Sequence, residues 1–459
     1  MKGRLRKFSE RKFVRDTVAL QVGSVVTSGT YLVTSVLTAR GLGKEDLGRW
    51  ATSREMYMFV FFLVSMGLTN AAVSLYSHAK GAQDHERSVK ALASLLKAGL
   101  FVSIAVMLIG IFALPSLAEH FYDGDRELGN VSRILSIAIA GEMLRGLTLA
   151  VLNGTRQMVR YAIFDVSTNV LRVALVGIAL LIQPTPRAVA WSYVAHGVLT
   201  AYLTLRAYAK ARRELGPSVR PPPLGEVLRA VPRARLGELL GISTMLAMVK
   251  AMNVVVPRLG MLFIPALAVV AADGFKANGA YQIGNVLTMV LTGAVGAIGT
   301  NVLPTLGVKQ GQDGVPFRER GALMRKISLT SGSFSILMAV LSVPFMWLVI
   351  RYAYGAEYED VFDFYLRLAT GHLFIGFAVI VEPFYIYAKK LKVHVSLSIV
   401  FATLATTGIF LATKYYGPKG AALAGGLCKV FVLCHLVYIW LYFRKHARDE
   451  PTESVPAEP

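Results

Sequence analysis

The chain is short of charge, of acid and of cysteine. Only 17% of its 459 residues are Asp, Glu, Lys or Arg, against about a quarter in a domain that faces water on every side. Together with a hydrophobic share of 54% and a mean hydropathy of +0.52, that deficit excludes an ordinary soluble enzyme. Acids number 28 against 49 Lys and Arg, a formal charge of +21. On a polar chain this balance would read as nucleic-acid binding, since Lys and Arg neutralise phosphates and release counterions; the apolar background argues against a nucleic-acid partner. The two cysteines, Cys428 and Cys434, both fall in the last apolar run and cannot make a disulfide framework, so they are read as small core residues. There is no HExxH, no P-loop, no Cys pair at ligand spacing and no acid pair in an outer loop. No catalytic residue, metal, cofactor or ATP motor is therefore expected.

What is present is a succession of apolar runs, each near the ~20 residues that cross a ~30 Å hydrocarbon core. They predict an all-α polytopic membrane protein with about twelve spans. The first six lie near 16–38, 50–76, 91–117, 131–153, 158–182 and 188–209, the second six near 237–265, 278–305, 327–350, 364–388, 393–415 and 420–443. The first run is too long and too rich in Ser and Thr for a cleaved signal. With the N-terminus inside, inner loops hold about 31 Lys and Arg against about 10 outside, which places both termini in the cytoplasm. Outer loops are too short for a catalytic domain, which disfavours a membrane-embedded polymerase or glycosyltransferase.

The segment ARRELGPSVRPPPLGEVLRAVPRAR within 210–236 divides the chain. Its prolines deny a continuous helix and its arginines belong to the cytoplasm. The expected organisation is a six-helix bundle over 1–209, a basic Pro-rich cytoplasmic linker over 210–236, a second six-helix bundle over 237–443 and a disordered cytoplasmic tail over 444–459. Gly48 matches Gly279, and Thr69-Asn70 matches Thr300-Asn301, at a common offset of about 231 residues. An even number of spans per half predicts a pseudo-two-fold axis along the membrane normal, with substrate between the halves and alternating access by rocking.

Several stretches carry a family resemblance. ARGLGKEDLGRWA (39–51) resembles a first helix ending in Ala-Arg, a glycine turn, and Gly plus an aromatic opening the second helix. GAYQIGN (279–285), NVLPTLG (301–307) and YYGPKGAALAGG (415–426) resemble the opening and end of helix eight and the turn between the last two helices. In order and spacing these are similar to the multidrug/oligosaccharidyl-lipid/polysaccharide (MOP) exporter superfamily, in particular its Wzx-like oligosaccharide flippases. The seventh helix departs from the pattern: Asn253 is followed by VVVPRLG where the family has an Asn-x-x-Asp type ending. The resemblance implies a MOP/MATE-like transporter in the plasma (inner) membrane that moves a lipid-linked oligosaccharide, with the head group in a central cationic cavity and the lipid tail in the bilayer. It implies membrane lipids and polysaccharide assembly proteins as partners. The alternative within the same fold is a MATE-like cation-coupled exporter of small drugs or metabolites.

Charges inside the spans bear on that choice. About eight cations fall there (Arg54, Lys97, Arg145, Arg172, Lys250, Arg258, Arg367, Lys429) with about four acids (Glu55, Glu142, Asp165, Glu382). Facing lipid, the deepest half dozen would cost roughly 15 to 20 kcal/mol, so they must line protein or water. Asp165, Asn169 and Arg172 share one face of the fifth span, and Glu142 and Arg145 share a face of the fourth. Each set reads either as ion pairing within the bundle or as part of a substrate site. Lys250 and Lys429 have no acid in their own spans and read as ligands for a substrate anion. Arg172, Lys250, Lys429, Arg145, Arg54 and Asn169 are the candidate substrate-binding set, Arg offering planar bidentate donors and Lys a movable point charge to a diphosphate. Asp165, Glu142 and Glu382 are the candidate ion-coupling carboxylates, Glu382 beside Pro383 where a kink is expected. Arg54, Arg258 and Arg367 also fit snorkelling to the outer interface, and Lys97 to the inner one. His196, His372 and His435 read as packing histidines, and Gln21, Ser24, Ser28, Tyr31 and Ser35 form a polar stripe that packs or lines a cavity.

Overall fold

The computed structural model describes residues 2–65, 67–217, 219–250, 256–299, 317–388 and 390–448, and among them every regular element is helical. The apolar runs make helices because a chain in hydrocarbon must satisfy its own backbone polar groups. Helix α1 (Lys2–Ser65) holds the first two spans and folds at Gly43, whose φ of 73° suits glycine. Gly67, left-handed at φ 68°, separates it from α2 (Leu68–Gly81), so the span expected at 50–76 is broken midway. Next come α3 (His85–Leu108), a π turn at Ile109–Ala113 ahead of Pro115, and α4 (Leu114–Phe121). Asp125 caps α5 (Arg126–Ile137) by accepting from the Leu128 N–H at 3.1 Å, and α6 (Ile139–Gly154) continues the span. Helices α7 (Met158–Ile182) and α8 (Pro186–Glu214) complete the first bundle.

After the linker, which contains α9 (Leu224–Ala230), the chain forms α10 (Gly237–Lys250), α11 (Gly260–Ala266), α12 (Ala271–Gly299) and α13 (Phe317–Leu348). Then follow α14 (Val361–Ala369), α15 (His372–Ile375), α16 (Val381–Tyr387), α17 (Leu391–Leu427, folded at Gly417) and α18 (Val432–Arg448). Eight helical runs among the described residues are long and apolar enough to cross a membrane. Two of these, Val18–Phe62 and Leu391–His446, each contain two arms. With α12 and the α10 and α11 segments, the architecture is that of about twelve spans in two bundles. The eighth span opens at Ala271, earlier than the expected 278.

The tenth span departs most from expectation. It breaks from Gly371 through the 3₁₀ turn Gly376–Ile380, ahead of Pro383 rather than at it. Serines of α13 satisfy the carbonyls this break leaves: Ser335 donates to His372 O at 2.8 Å and Ser331 to Gly376 O at 2.9 Å. Gly376 lies so near α13 that a Cβ would meet the Ser331 carbonyl at 2.4 Å.

The Pro-rich linker is held by the first bundle in a comparable way. Lys80 Nζ donates to Arg220 O at 2.5 Å, Lys97 Nζ to Pro232 O at 2.9 Å and Ala234 O at 3.0 Å, and Ser94 to Arg235 O at 3.1 Å. Lys97, midway along α3, thus grips linker backbone where snorkelling to the inner interface was expected.

The two bundles meet in a seam near the Gly43 turn. A Cβ on Gly48 would fall 1.8 Å from Phe275 O, and one on Gly279 would fall 2.5 Å from Lys44 O. Both pairs are related by the offset of about 231 residues, so the contact is reciprocal, as across a two-fold axis. Asn278 Nδ2 donates to Thr52 Oγ1 at 2.8 Å and to Met261 O at 2.9 Å. Around it Lys44 pairs with Asp360 at 2.7 Å, Tyr122 donates to Leu262 O at 3.2 Å, and Tyr354 donates to Ser35 Oγ at 3.0 Å. At this end the halves are closed on each other.

Gly48→Ala is expected to lower thermal stability in detergent by about 1 to 3 kcal/mol through overpacking against backbone. Gly29→Ala, whose Cβ would meet nothing within 4 Å, should leave the melting temperature unchanged. Equal melting curves for both variants would contradict the seam.

Candidate functional site

Three neighbouring helices of the first bundle and one arm of α1 bring charge to the interior. Arg145 on α6 pairs with Glu142 one turn earlier at 3.3 Å and with Asp165 of α7. Asp165 Oδ2 also accepts from Thr27 Oγ1 of α1 at 3.2 Å and from Asn169 Nδ2 at 3.4 Å. Asn169, buried, donates to Asp165 O at 2.8 Å, while its own Oδ1 accepts from Arg172 Nη2 at 2.8 Å. The Arg172 guanidinium lies 4.6 Å from the Tyr31 ring centroid, a cation–π contact. On α8, buried His196 has Nε2 2.9 Å from Thr168 O and Nδ1 3.7 Å from Glu142 Oε1.

Charge is distributed unevenly in this cluster. Glu142 and Asp165 both point to Arg145, whereas Arg172 makes no ion pair among the described residues; its partners are a neutral amide and a ring. The Nε atoms of Arg145 and Arg172 are buried without a hydrogen-bond partner. A buried donor left unmade costs about 1 to 3 kcal/mol, more for a charged group. An oxygen-rich anion would satisfy both the donors and the charge. From the start of α7 the 1.5 Å rise puts Arg172 about 21 Å along the helix, near its middle.

A second group sits closer to the seam. Glu55 is 2% exposed; its Oε1 accepts from Arg54 Nη2 at 2.7 Å and its Oε2 from Arg258 Nη1 at 3.2 Å. Arg258 comes from the other bundle and also lies over the Phe62 ring at 5.4 Å. Glu55, Phe59, Phe62, Arg258, Leu259 and Leu262 line a small pocket. The interface-seeking reading of Arg54 and Arg258 gives way to a shared buried carboxylate. Arg54, expected among the substrate ligands, is held by Glu55.

The remaining candidates lie apart from these groups. Lys429 is half-buried in the 3₁₀ turn Cys428–Phe431, against Gly371, with no hydrogen bond or ion pair among the described residues. Lys250 ends α10, and its side chain, like Asn253, lies outside the described residues. Glu382 is exposed on α16 and touches neither Asp165 nor Glu142. Arg367 pairs with Asp363 at 2.9 Å. His435 and Tyr385 share a hydrogen bond at 3.1 Å, with His394 stacked on Tyr385, and His372 is buried. Along the first span Ser35 takes a bond from Tyr354 and Tyr31 meets Arg172, and a further contact to the cluster comes from Thr27, outside the expected stripe. Glu55, counted in the sequence among the intramembrane acids but given no role, is the bridge, and an acid beside a base deep in an apolar run was the signal for it.

Comparison with known proteins is consistent with this architecture. The family described as "Polysaccharide biosynthesis protein" matches residues 13–308. The chain is 24% identical over 177 residues to Stage V sporulation protein B of Bacillus subtilis (strain 168), covering 38% of this chain and 33% of that protein. It therefore spans about a third of the length of the curated relative it matches. Among solved structures, an inward-facing multidrug resistance MATE family transporter of the MOP superfamily superposes with a TM-score of 0.71 at 13% identity, over 92% of this chain and 96% of that one. The lipid II flippase MurJ in an inward closed conformation gives a TM-score of 0.67 at 15% identity, over 94% and 90%.

Arg145→Gln and Asp165→Asn, alone and combined, are expected to show a coupling energy of about 0.5 to 3 kcal/mol in thermal unfolding. Strict additivity would mean that the pair does not hold α6 to α7.

Proposed function

This chain belongs to the polysaccharide biosynthesis protein family of the MOP superfamily, and from that premise we propose that it is a flippase for a polyprenyl-diphosphate-linked oligosaccharide. It is a multi-pass membrane transporter of the flippase type. In our reading it resides in the plasma (inner) membrane with both termini cytoplasmic, the division between the bundles falls in 210–236, and the cargo is a surface-polysaccharide repeat unit. Arg172 carries the proposal. It is a cation near mid-span with no acid partner among the described residues and a buried, unpartnered Nε. A diphosphate supplies both the missing charge and the missing acceptors, and a low dielectric strengthens the contact.

Arg145 is the second ligand, available to the anion to the extent that Glu142 and Asp165 share it. Asn169 fixes the Arg172 fork, and Lys429 and Lys250 would face the head group from the second bundle. The lipid tail stays among the membrane lipids, and the halves rock to move the head group between faces. Polysaccharide assembly proteins would supply and receive the cargo. Asp165 and Glu142 are the carboxylates through which an ion gradient would act. A cation-coupled drug exporter needs an acid free to hold a cationic cargo, and both of these are bound to Arg145.

In proteoliposomes, Arg172→Ala is expected to reduce flipping of a polyprenyl-diphosphate oligosaccharide at least about tenfold, since loss of one charged hydrogen-bonding partner costs about 1.5 to 3 kcal/mol. Arg172→Lys should retain part of the rate, because the charge stays and the fork is lost. Arg213→Ala, in an exposed position at the linker end, should be neutral. Unchanged flipping by Arg172→Ala, with the protein folded, would sink the assignment.

A further inference from the structure

Glu55 bridges the two bundles through one bond that any opening of the seam must break. It lies 12 residues past the Gly43 turn, about 18 Å along the second arm of α1. The reciprocal glycine contact and the Thr52–Asn278 bond therefore stand between it and the closed end. Arg54, its sequence neighbour, belongs to the same bundle and moves with it, whereas Arg258 follows α10 in the other bundle and opens the approach to α11. The carboxylate is 2% exposed, so it cannot fall back on water when Arg258 leaves. When Arg258 leaves, Glu55 keeps only the Arg54 bond on Oε1 and its Oε2 loses its donor, a costly change for a buried ion pair.

We propose that Glu55 is a latch: its bond to Arg258 holds the halves shut at the Gly43 end, and its release is the step that lets this end open. Arg54 is the standing counter-ion that keeps Glu55 charged and aimed while Arg258 comes and goes. One oxygen serves each arginine, so the inter-bundle bond can break without disturbing the intra-bundle one. This is a positioning role in alternating access, and it rests on the transport reading of the fold, not on the identity of the cargo. It also accounts for the apolar lining beside the ion pair: Phe59, Phe62, Leu259 and Leu262 keep water from replacing the arginine.

The test reads access to the seam without any substrate, so its failure is separate from failure of the flippase assignment. In full-length protein in lipid nanodiscs, with Cys428→Ala and Cys434→Ala as background, Thr52→Cys places a thiol in the closed seam, where Thr52 is fully buried. A membrane-impermeant maleimide should label it slowly. Adding Glu55→Gln, or Arg258→Met approached from the other half, should speed labelling at least about tenfold, equivalent to about 1.4 kcal/mol of closed-state bias. Arg258→Lys, which keeps the charge, should remain slow. Glu214→Gln, which removes an exposed carboxylate at the end of α8 away from the seam, should also remain slow. Unchanged labelling with both Glu55→Gln and Arg258→Met, or equal acceleration by Glu214→Gln, would overturn the latch. Size-exclusion profiles and melting curves of each variant verify that accelerated labelling comes from a folded protein.

Discussion

Charge placed in hydrocarbon governs how this molecule is assembled. An arginine at mid-span is tolerated only where another helix or a water-filled space meets it, and so the interior charges dictate which helices lie together. Arg145 ties α6 to α7, Thr27 adds α1 to the same carboxylate, and Arg258 ties the second bundle to the first through Glu55. Apolar packing between helices has no comparable direction, because lipid tails are as apolar as leucine. The polar bonds choose the neighbours, and small residues then set how near those neighbours come.

That division of labour also explains what could be read from the sequence. Glu142 with Arg145, and Asp165 with Asn169 and Arg172, were visible because partners three or four residues apart share a helix face. The bond from Arg145 to Asp165 crosses between helices, and the one from Arg258 to Glu55 spans 203 positions, so neither spacing nor period announced them. Lys97, expected near a helix end, lies midway along α3, and its acceptors are backbone carbonyls, which carry no residue identity to be read. The breaks were harder still. Gly43, Gly67 and Gly417 turn the chain with positive φ, while Gly177 sits in an unbroken helix, and composition alone does not separate them. Pro383 drew attention to a kink that lies instead at Gly371–Ile380, where serines of a neighbouring helix make the break affordable. The tail expected to be disordered over 444–459 begins as helix, since α18 runs to Arg448, and 449–459 lies outside the described residues.

The internal duplication has a physical counterpart in the seam. Residues matched by the repeat offset touch each other's partners, Gly48 on Phe275 and Gly279 on Lys44, so the same contact occurs twice across a pseudo-axis. The charges around it have not kept that symmetry. The first bundle carries Arg145, Asp165 and Arg172 in contact with one another or with shared partners, while Lys429 of the second, on its 3₁₀ turn, joins no such cluster among the described residues. The frame is symmetric where the halves mate, and its charged lining is not.

The linker shows a different economy. Lys80, Lys97 and Ser94 take hold of carbonyl oxygens of Arg220, Pro232, Ala234 and Arg235, atoms that any amino acid would present. Tyr208 and Arg212 hold the carbonyls of Pro222 and Pro221 in the same way, so the attachment is indifferent to most side chains along the strap and demanding of the residues that grip it. Most side chains along the strap could be exchanged without loosening the mooring that carries the second bundle.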